Sequence, residues 1–290
     1  MASTGVIGKR LDVEKIERAI PELMGGLSGT GGEAAAEAIM TTDSFPKMAS
    51  AGFKISGSTC IISGIAKGAG MISPNMATML AIFMTDVSIG KNALNTAFRK
   101  AIDESFNCIT VDGDMSTNDM AVILANGEAS NPLIKPNTAD YDKFYSALYD
   151  VSFMLAHMII EDGEGATRFV KVEVKGAKSP KDAEQAARQV ANSLLLKTMI
   201  YGADPNPGRI VAALGASGIE IGKVGAVIYI CGMPVFKKDK ILNFSKGSLK
   251  KALSKRCIDI KIALGEGRYS KTIYTCDLTT EYININKGYS

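Results

Sequence analysis

The stretch IISGIAKGAGMISPNMATMLAIFM, which runs from Ile61 to Met84, decides how the rest of the chain is interpreted. Its loop contains three glycines that leave the backbone free to bend: Gly64, Gly68 and Gly70. Pro74-Asn75 predicts a turn, and the continuous apolar run 79–84 predicts a buried strand. The sequence therefore places the hydroxyl of Thr78 where a tight loop enters a strand.

Thr78 is a candidate nucleophile, because a strand would fix its backbone while the glycine loop leaves space for a substrate. Strain in the Ala77–Thr78 peptide would let the Thr78 hydroxyl attack the Ala77 carbonyl, and hydrolysis of the resulting ester would make Thr78 a new N-terminus. The freed amine, with a reference pKa of about 7.7–8.0, is suited to act as the base for its own hydroxyl. The structural alternative is a threonine that simply begins a strand.

The composition excludes several classes of protein. The chain has 290 residues and 46% hydrophobic content, enough for one large domain or two modest ones with a substantial core. Its 33 basic and 30 acidic residues are interspersed and give a net charge of +3, which disfavours a nucleic-acid partner. No apolar run reaches the roughly 18 residues of a membrane span, and the first residues lack a secretion signal. We therefore expect a cytoplasmic protein that binds neither nucleic acid nor membrane.

No metal site is predicted. Five cysteines lie far apart without a CxxC pair, and we expect them to be reduced and mostly buried: Cys60, Cys108, Cys231, Cys257 and Cys276. The acidic stretch DGDMSTND, residues 112–119, has Thr117 where a calcium loop needs glycine, so we predict a hydrogen-bonded turn. His157 is the only histidine in the chain, and we interpret it as structural.

Hydrophobic periodicity predicts a mixture of helices and strands. Helices are expected over 11–27, 32–40, 92–104, 141–161, 179–197 and 248–255. Strands are expected over 53–65 with a break at 56–58, and over 78–84, 109–111, 121–124, 169–174, 224–230, 257–264 and 272–276. This order of elements is typical of an α/β or α+β layered fold.

Five blocks of sequence, in order, resemble the ornithine acetyltransferase (glutamate N-acetyltransferase) family of arginine biosynthesis: AKGAGMISPNMATML, FNCITVDGDMSTNDM, EDGEGATRFV, DPNPGRI and TCDLTTEYININ. The resemblance extends from Ser3 to the last residues. It implies an N-terminal-nucleophile-like sandwich of β-sheets packed between helices. It also implies self-cleavage into an α chain, ending with residues 1–77 of this sequence, and a β chain, 78–290, assembled as a heterotetramer of two α and two β chains.

The resemblance also implies an activity. Family members transfer the acetyl group of N-acetyl-L-ornithine to L-glutamate through an acetyl-threonine, which corresponds here to Thr78, and they need no cofactor. Some members also use acetyl-CoA as a co-substrate, and the residues leave that choice open. Thr4 and Gly5 of the STGVIG segment correspond to the oxyanion hole, where a hydroxyl and a backbone N–H would stabilise the developing charge. Without the resemblance they would be interpreted as a disordered terminus.

Substrate contacts follow from the resemblance at five further positions: Thr41, Lys67, Glu164, Asn286 and Ser290. Lys67 would pair with the α-carboxylate that both substrates share. Glu164 would hold the ornithine ammonium or take part in proton transfer. Thr42 is the alternative to Thr41 if the register differs by one residue. Asn286 matches the family ending, and Ser290 would substitute for a hydroxyl contact that relatives carry beyond their final tyrosine.

One departure from the family keeps other functions open. Relatives carry an N-terminal segment before STGVIG that is absent here, and we expect its absence to expose a sheet edge. The same acyl-enzyme given to water would make the chain an amidase or aminopeptidase. An inactive fragment or interaction protein is the third interpretation.

Overall fold

The computed structural model describes residues 4–6, 8–73, 79–222, 225–265 and 267–288. The predicted cleavage site and nucleophile, Ala77 and Thr78, lie outside the described residues. So do Ser290 and the predicted turn at Pro74-Asn75.

Helices and strands alternate along the described ranges. The helices are α1 (Val13–Gly25), α2 (Gly32–Ala38), α3 (Lys91–Glu104), α4 (Ala139–Glu161), α5 (Pro180–Ala191), α6 (Leu194–Tyr201), α7 (Gly208–Gly215), α8 (Lys246–Leu253) and α9 (Thr280–Asn286). The strands are β1 (Lys47–Ile55), β2 (Ser58–Lys67), β3 (Leu80–Thr85), β4 (Met120–Ala125), β5 (Phe169–Ala177), β6 (Val227–Ile230), β7 (Met233–Lys237), β8 (Lys240–Ile241), β9 (Cys257–Ala263) and β10 (Tyr269–Cys276). The predicted mixed α/β class is therefore confirmed.

A four-stranded sheet has the order β1-β2-β3-β4, with the first three strands antiparallel and β3 parallel to β4. The register brings the starts of β1, β3 and β4 to the same edge as the end of β2. Lys47 pairs with Ala66, Lys67 pairs with Leu80, and Leu80 pairs with Met120. One edge of this sheet thus collects the loop before β1, the described ends of the β2–β3 connection and the loop before β4.

A six-stranded sheet has the order β10-β5-β9-β6-β7-β8. Successive side chains of a strand point to opposite faces. Ile273 of β10 lies in a buried cluster with the alanines of α5, whereas the next residue, Tyr274, packs against Phe153 and His157 of α4. This end of the sheet therefore lies between α5 and α4, as a sandwich of sheets and helices requires.

Helix α4 joins the two sheets. Thr138 caps its start by accepting a hydrogen bond from the Tyr141 N–H. The predicted apolar face is fully buried, with every member at 0% exposure: Phe144, Leu148, Val151, Leu155 and Ile159. The helix packs across β1 and β2 and also contacts β10. His157, on α4, lies 4.1 Å from the ring centre of Phe153 and 4.6 Å from that of Phe169, and burial lowers its pKa. This setting agrees with a structural role.

Two predicted elements differ from the structure. The helix predicted over 179–197 is two helices, because Ser193 leaves the helical conformation and caps α6 by accepting from the Leu196 N–H. The strand predicted at 109–111 reduces to a single bridge between Ile109 and Tyr274. The break predicted at 56–58 is present as the turn between β1 and β2.

Helix α1 lies apart from the core. It has the predicted apolar periodicity, yet none of its residues is buried. The exposed apolar side chains of this helix and its flanks are Val6, Leu11, Val13, Ile16, Ile20, Leu23, Met24 and Leu27. None of the helices in the part of the chain that the structure describes combines the length and apolar character that a membrane span requires.

Candidate active site

The candidate site occupies the edge of the four-stranded sheet where β1 starts and β2 ends. Lys67 is the last residue of β2 and is only 1% exposed. Its Nζ donates to the Thr41 Oγ1 at 3.0 Å. Burial lowers the Lys67 pKa, although the nearby Asp43 carboxylate opposes this shift. A buried ammonium that contacts a neutral hydroxyl retains donors for an anionic ligand.

Asp43 joins the Thr41 loop to the glycine loop. Its carboxylate accepts from the Lys47 Nζ at 2.6 Å, from the Gly68 N–H at 2.7 Å and from the Thr41 N–H at 3.1 Å. Burial alone would raise the Asp43 pKa, but the hydrogen bonds from Gly68 and Lys47 outweigh it, so the pKa lies below its ordinary value. Asp43 is therefore an ionised anchor for two loops.

Lys47 extends this anchor to the end of α4. Its ammonium lies 2.6 Å from Asp43 and 2.5 Å from Asp162, and its side chain is completely buried. Asp162 also accepts from the Ser44 N–H at 2.9 Å and from the Ser44 hydroxyl. One buried cation thus connects the loop before β1 with the turn after α4.

Glu164 lies in that turn, two residues beyond Asp162. Its N–H donates to the Ala69 carbonyl at 3.0 Å, which fixes the turn against the glycine loop. The Thr42 hydroxyl donates to Oε1 at 2.8 Å, and the Asn286 side-chain amide donates to Oε2 at 2.7 Å. Two separate segments therefore hold the Glu164 carboxylate, a third holds its backbone, and the residue is 9% exposed.

Two glycines make room for this arrangement. A Cβ on Gly70 would lie 2.5 Å from the Glu164 carboxyl carbon, closer than real contacts allow. Gly165 has φ +68°, and a Cβ there would lie 2.6 Å from the Tyr282 backbone nitrogen. The glycines around Glu164 thus allow close approach.

Helix α9 closes the site from the C-terminal side. Asn286 also donates to the Tyr282 carbonyl at 2.9 Å, and the Tyr282 hydroxyl donates to Asp112 at 3.3 Å. Asp112 accepts from the backbone N–H groups of Met71 and Ile72 at 2.6 and 3.1 Å. Burial raises the pKa of Asp112. The stretch 112–119 is therefore hydrogen-bonded, as predicted, and it also holds the glycine loop.

Asp119 ends the same turn. Its Oδ1 accepts from the Met79 N–H at 2.9 Å. Burial raises the Asp119 pKa to about 6, while the positive charge of Lys67 opposes the shift. A carboxyl group that titrates near neutrality beside a buried lysine is a common property of functional sites.

The structure brings together four of the six described residues that the resemblance predicts for the site, Thr41, Lys67, Glu164 and Asn286. Both of the alternative threonines make a contact in the site. Thr41 accepts a hydrogen bond from Lys67, and Thr42 donates one to Glu164. Asn286 contacts Glu164 directly. Thr4 is half-buried and Gly5 exposed, and among the described residues neither makes a hydrogen bond to this cluster. Ala77, Thr78 and Ser290 lie outside the described residues, so their predicted roles stay predictions.

Three site residues were not predicted from the sequence: Asp43, Lys47 and Asp162. Asp43 and Lys47 lie in the TTDSFPK segment that leads into β1, and Asp162 lies in the EDGEGATRFV block that carries the resemblance. Within the described ranges, no group of three or more histidine, cysteine, aspartate or glutamate side chains is arranged to hold a metal ion.

Known proteins resemble the chain over its whole length. The model of the ArgJ family matches residues 1–290. The arginine biosynthesis bifunctional protein ArgJ of Chlorobaculum tepidum is 49% identical over 289 residues, which cover 100% of this chain and 71% of that protein. The protein of the same name from Geobacter sulfurreducens is 45% identical over 294 residues, covering 100% of this chain and 74% of that protein.

A solved structure agrees with the sequence relatives. The crystal structure of arginine biosynthesis bifunctional protein ArgJ from Bacillus halodurans matches with a TM-score of 0.67 and 40% identity, over 70% of this chain and 96% of that chain. The match confirms the predicted N-terminal-nucleophile-like fold class. By the family model and by both relatives, this chain belongs to the ArgJ family.

Proposed function

We propose that this chain is an acetyltransferase of arginine biosynthesis that moves the acetyl group of N-acetyl-L-ornithine to L-glutamate through an acetyl-Thr78 intermediate. The observation that carries the proposal is that consecutive residues, Thr41 and Thr42, hold a buried ammonium, Lys67, and a hydrogen-bonded carboxylate, Glu164. Membership of the ArgJ family supports it independently.

The site chemistry suits an amino-acid substrate. Consecutive hydroxyls, Thr41 and Thr42, contact Lys67 and Glu164 respectively, so a cation and an anion are presented by neighbouring positions. Lys67 would pair with the α-carboxylate common to both substrates, and Glu164 would receive the ammonium of ornithine. Asn286 would orient Glu164 rather than bind the acetyl group, because its amide already donates to Oε2.

The reaction would proceed in two acyl transfers. The Thr78 hydroxyl attacks the acetyl carbonyl, its proton passes to the Thr78 amine, and the ornithine amine leaves with a proton. The amine of glutamate then attacks the ester, and the Thr78 hydroxyl is restored. Thr4 and Gly5 would donate to the oxyanion in both halves, and each donor would lower the barrier by about 2.7–4 kcal/mol.

Self-cleavage at Ala77–Thr78 is part of this proposal, because only a new N-terminus gives Thr78 an amine of its own. The solved relative supports it: 96% of that chain is matched by 70% of this one, so it is shorter than this chain and comparable in length with 78–290. We propose that the α chain, which ends at Ala77, and the β chain, which starts at Thr78, remain together in the cytoplasm as a heterotetramer of two α and two β chains.

Acetyl-CoA is proposed as a second acetyl donor, since the relatives are named bifunctional proteins. No cofactor is required by the mechanism. An acetyl-exchange assay with labelled N-acetyl-L-ornithine or acetyl-CoA tests both donors. We expect labelled N-acetylglutamate that depends on added glutamate. Acetate release that ignores glutamate would favour the hydrolase, and no turnover with either donor would favour a non-catalytic fragment.

The Thr78→Ala variant tests the nucleophile in the same assay. We expect no exchange from either donor, because no other hydroxyl replaces the one removed. Thr59→Ala, at an exposed position of β2, is the matched control and should behave as the wild type. Exchange that persists in Thr78→Ala would remove Thr78 from the mechanism.

A further inference from the structure

Two distant segments of the chain meet directly beside Glu164. One is the continuation of the turn after α4, and the other leads from β10 into α9. The Thr279 hydroxyl of the second segment donates to the Gly165 carbonyl at 2.7 Å. Asp277, two residues earlier, accepts from the Thr167 N–H at 2.8 Å. The start of α9 is thus attached to residues that closely follow Glu164.

Helix α9, which the structure describes completely, buries none of its seven residues. Its Ile283 side chain is 61% exposed, so apolar burial contributes little to its position and polar contacts set it. Thr279 acts twice at its start, because the oxygen that binds Gly165 also caps the helix by accepting from the Glu281 N–H at 3.2 Å. At the other end of the helix, Asn286 donates to Glu164. The helix is therefore held to the same turn at both of its ends.

We propose that Thr279 is a positioning residue for the ornithine half of the reaction. Its hydroxyl fixes the start of α9 on Gly165, and the helix then brings Asn286 to the Glu164 carboxylate that receives the ornithine ammonium. Thr279 itself contacts no substrate and takes no part in the chemistry. The role rests on the proposed function, because it requires Glu164 to bind ornithine.

This role predicts an effect on one substrate only. In a two-step exchange, kcat/KM for each substrate reports only the half-reaction in which that substrate takes part. Glu164 receives the ammonium of ornithine, whereas Lys67 pairs with the α-carboxylate that both substrates share. A displaced Glu164 should therefore lower kcat/KM for N-acetyl-L-ornithine and spare kcat/KM for glutamate. A general weakening of the fold would lower both values, because it reduces the amount of active enzyme.

Substitutions of Thr279 separate its hydroxyl from its shape. Thr279→Val has nearly the same shape without the donor, and we expect kcat/KM for N-acetyl-L-ornithine to fall by about 10- to 100-fold, the effect of losing one hydrogen bond to a charged group. The value for glutamate should stay at the wild-type level. Thr279→Ala should give the same ratio of the two values, and Thr279→Ser, which keeps the hydroxyl, should restore the wild-type ratio. Thr280→Val, at the exposed neighbouring position, is the matched control and should behave as the wild type.

Equilibrium binding makes the same comparison without turnover. L-ornithine and L-glutamate carry no acetyl group, so neither reacts with the purified enzyme, and titration calorimetry measures the Kd of each. We expect Thr279→Val to raise the Kd of ornithine by about 10- to 100-fold and to leave that of glutamate unchanged. Equal losses for both substrates, or no loss for either, would overturn the positioning role. A wild type that transfers no acetyl group from N-acetyl-L-ornithine would instead refute the proposed function and with it the role of Thr279.

Discussion

The side-chain amide of Asn286 donates a 2.7 Å hydrogen bond to Glu164, a residue 122 positions away in the sequence. The bond joins the last helix of the described chain to the turn after α4. The opposite oxygen of the same carboxylate accepts from Thr42, at 2.8 Å. Glu164 is therefore oriented before any substrate arrives, and this orientation can be tested by mutation.

A double-mutant cycle at Glu164 and Asn286 should show strong coupling. We expect Glu164→Gln and Asn286→Ala each to lower kcat/KM. The loss of transition-state stabilisation in the double variant should be smaller than the sum of the two single losses by about 1.5–3 kcal/mol, the free energy of one hydrogen bond to a charged group. The control is Asn284→Ala in the same helix, whose amide contacts the exposed Glu281. Steady-state kinetics gives the four values. Additive losses would mean that Asn286 does not act through Glu164.

A methyl group at Gly70 should disturb the site more than the fold. In Gly70→Ala the new Cβ would lie 2.6 Å from both Glu164 oxygens, and the flexible end of that side chain can move away at little cost to folding. We expect kcat/KM to fall by about 10²-fold, as for a displacement of about 1 Å, with a nearly unchanged melting temperature. Gly215→Ala, where nothing lies within 4 Å of the new Cβ, is the control. Normal activity in Gly70→Ala would show that the position of Glu164 does not limit the reaction.

Replacement of Lys67 should raise stability and weaken substrate binding. Burial lowers the Lys67 pKa, so the unfolded chain binds the proton more tightly and the charged side chain costs stability at pH 7. We expect Lys67→Met to melt at a higher temperature than the wild type at pH 7. The difference should shrink as pH rises toward the unfolded-state pKa of about 10.4.

The same variant should raise KM for N-acetyl-L-ornithine and for glutamate by about 10- to 100-fold, the worth of a charge-assisted hydrogen bond of ~1.5–3 kcal/mol. Thermal denaturation followed by circular dichroism at several pH values gives the first quantity, and initial rates give the second. A Lys67→Met enzyme with unchanged KM for both substrates would separate Lys67 from substrate recognition.

The buried cation Lys47 should matter mainly for folding. In Lys47→Met, Asp43 and Asp162 lose their shared partner, and removal of one member of a buried ion pair costs about 3–5 kcal/mol. Arg18→Met removes an exposed pair with Glu14, which is worth at most about 1 kcal/mol. Urea unfolding compares the two variants. Equal, small losses would contradict the role of Lys47 as an anchor.

Sequence patterns predicted the elements with strong periodicity and missed those that depend on local turn geometry. The apolar stripe of α4, for example, follows directly from burial on one face. The β7–β8 hairpin was missed because its turn uses Lys238 and Asp239 at φ +50° and +57°, without the Asn-Gly or Asp-Gly signal that such turns usually carry. The boundary between α5 and α6 was missed because apolar residues continue past Ser193.

The sequence predicted only part of the site, because its residues come together through tertiary packing. Lys67, Glu164 and Asn286 come from three distant segments, and only their resemblance to a known family connects them. Lys47 looks like any other lysine in the sequence, because a charged residue is buried only when tertiary packing supplies its partners, here Asp43 and Asp162. Asp119 was weighed only as a calcium ligand, since its contact with Met79 depends on the register of two strands.

The most direct test of the account is an intact-mass spectrum of the purified protein, recorded before and after brief exposure to N-acetyl-L-ornithine without glutamate. We predict two fragments that meet at the Ala77–Thr78 bond, with a single acetyl group added to the fragment that begins at Thr78 and removed again by glutamate. An uncut chain that still transfers acetyl groups, or an acetyl group found on the other fragment, would contradict the account.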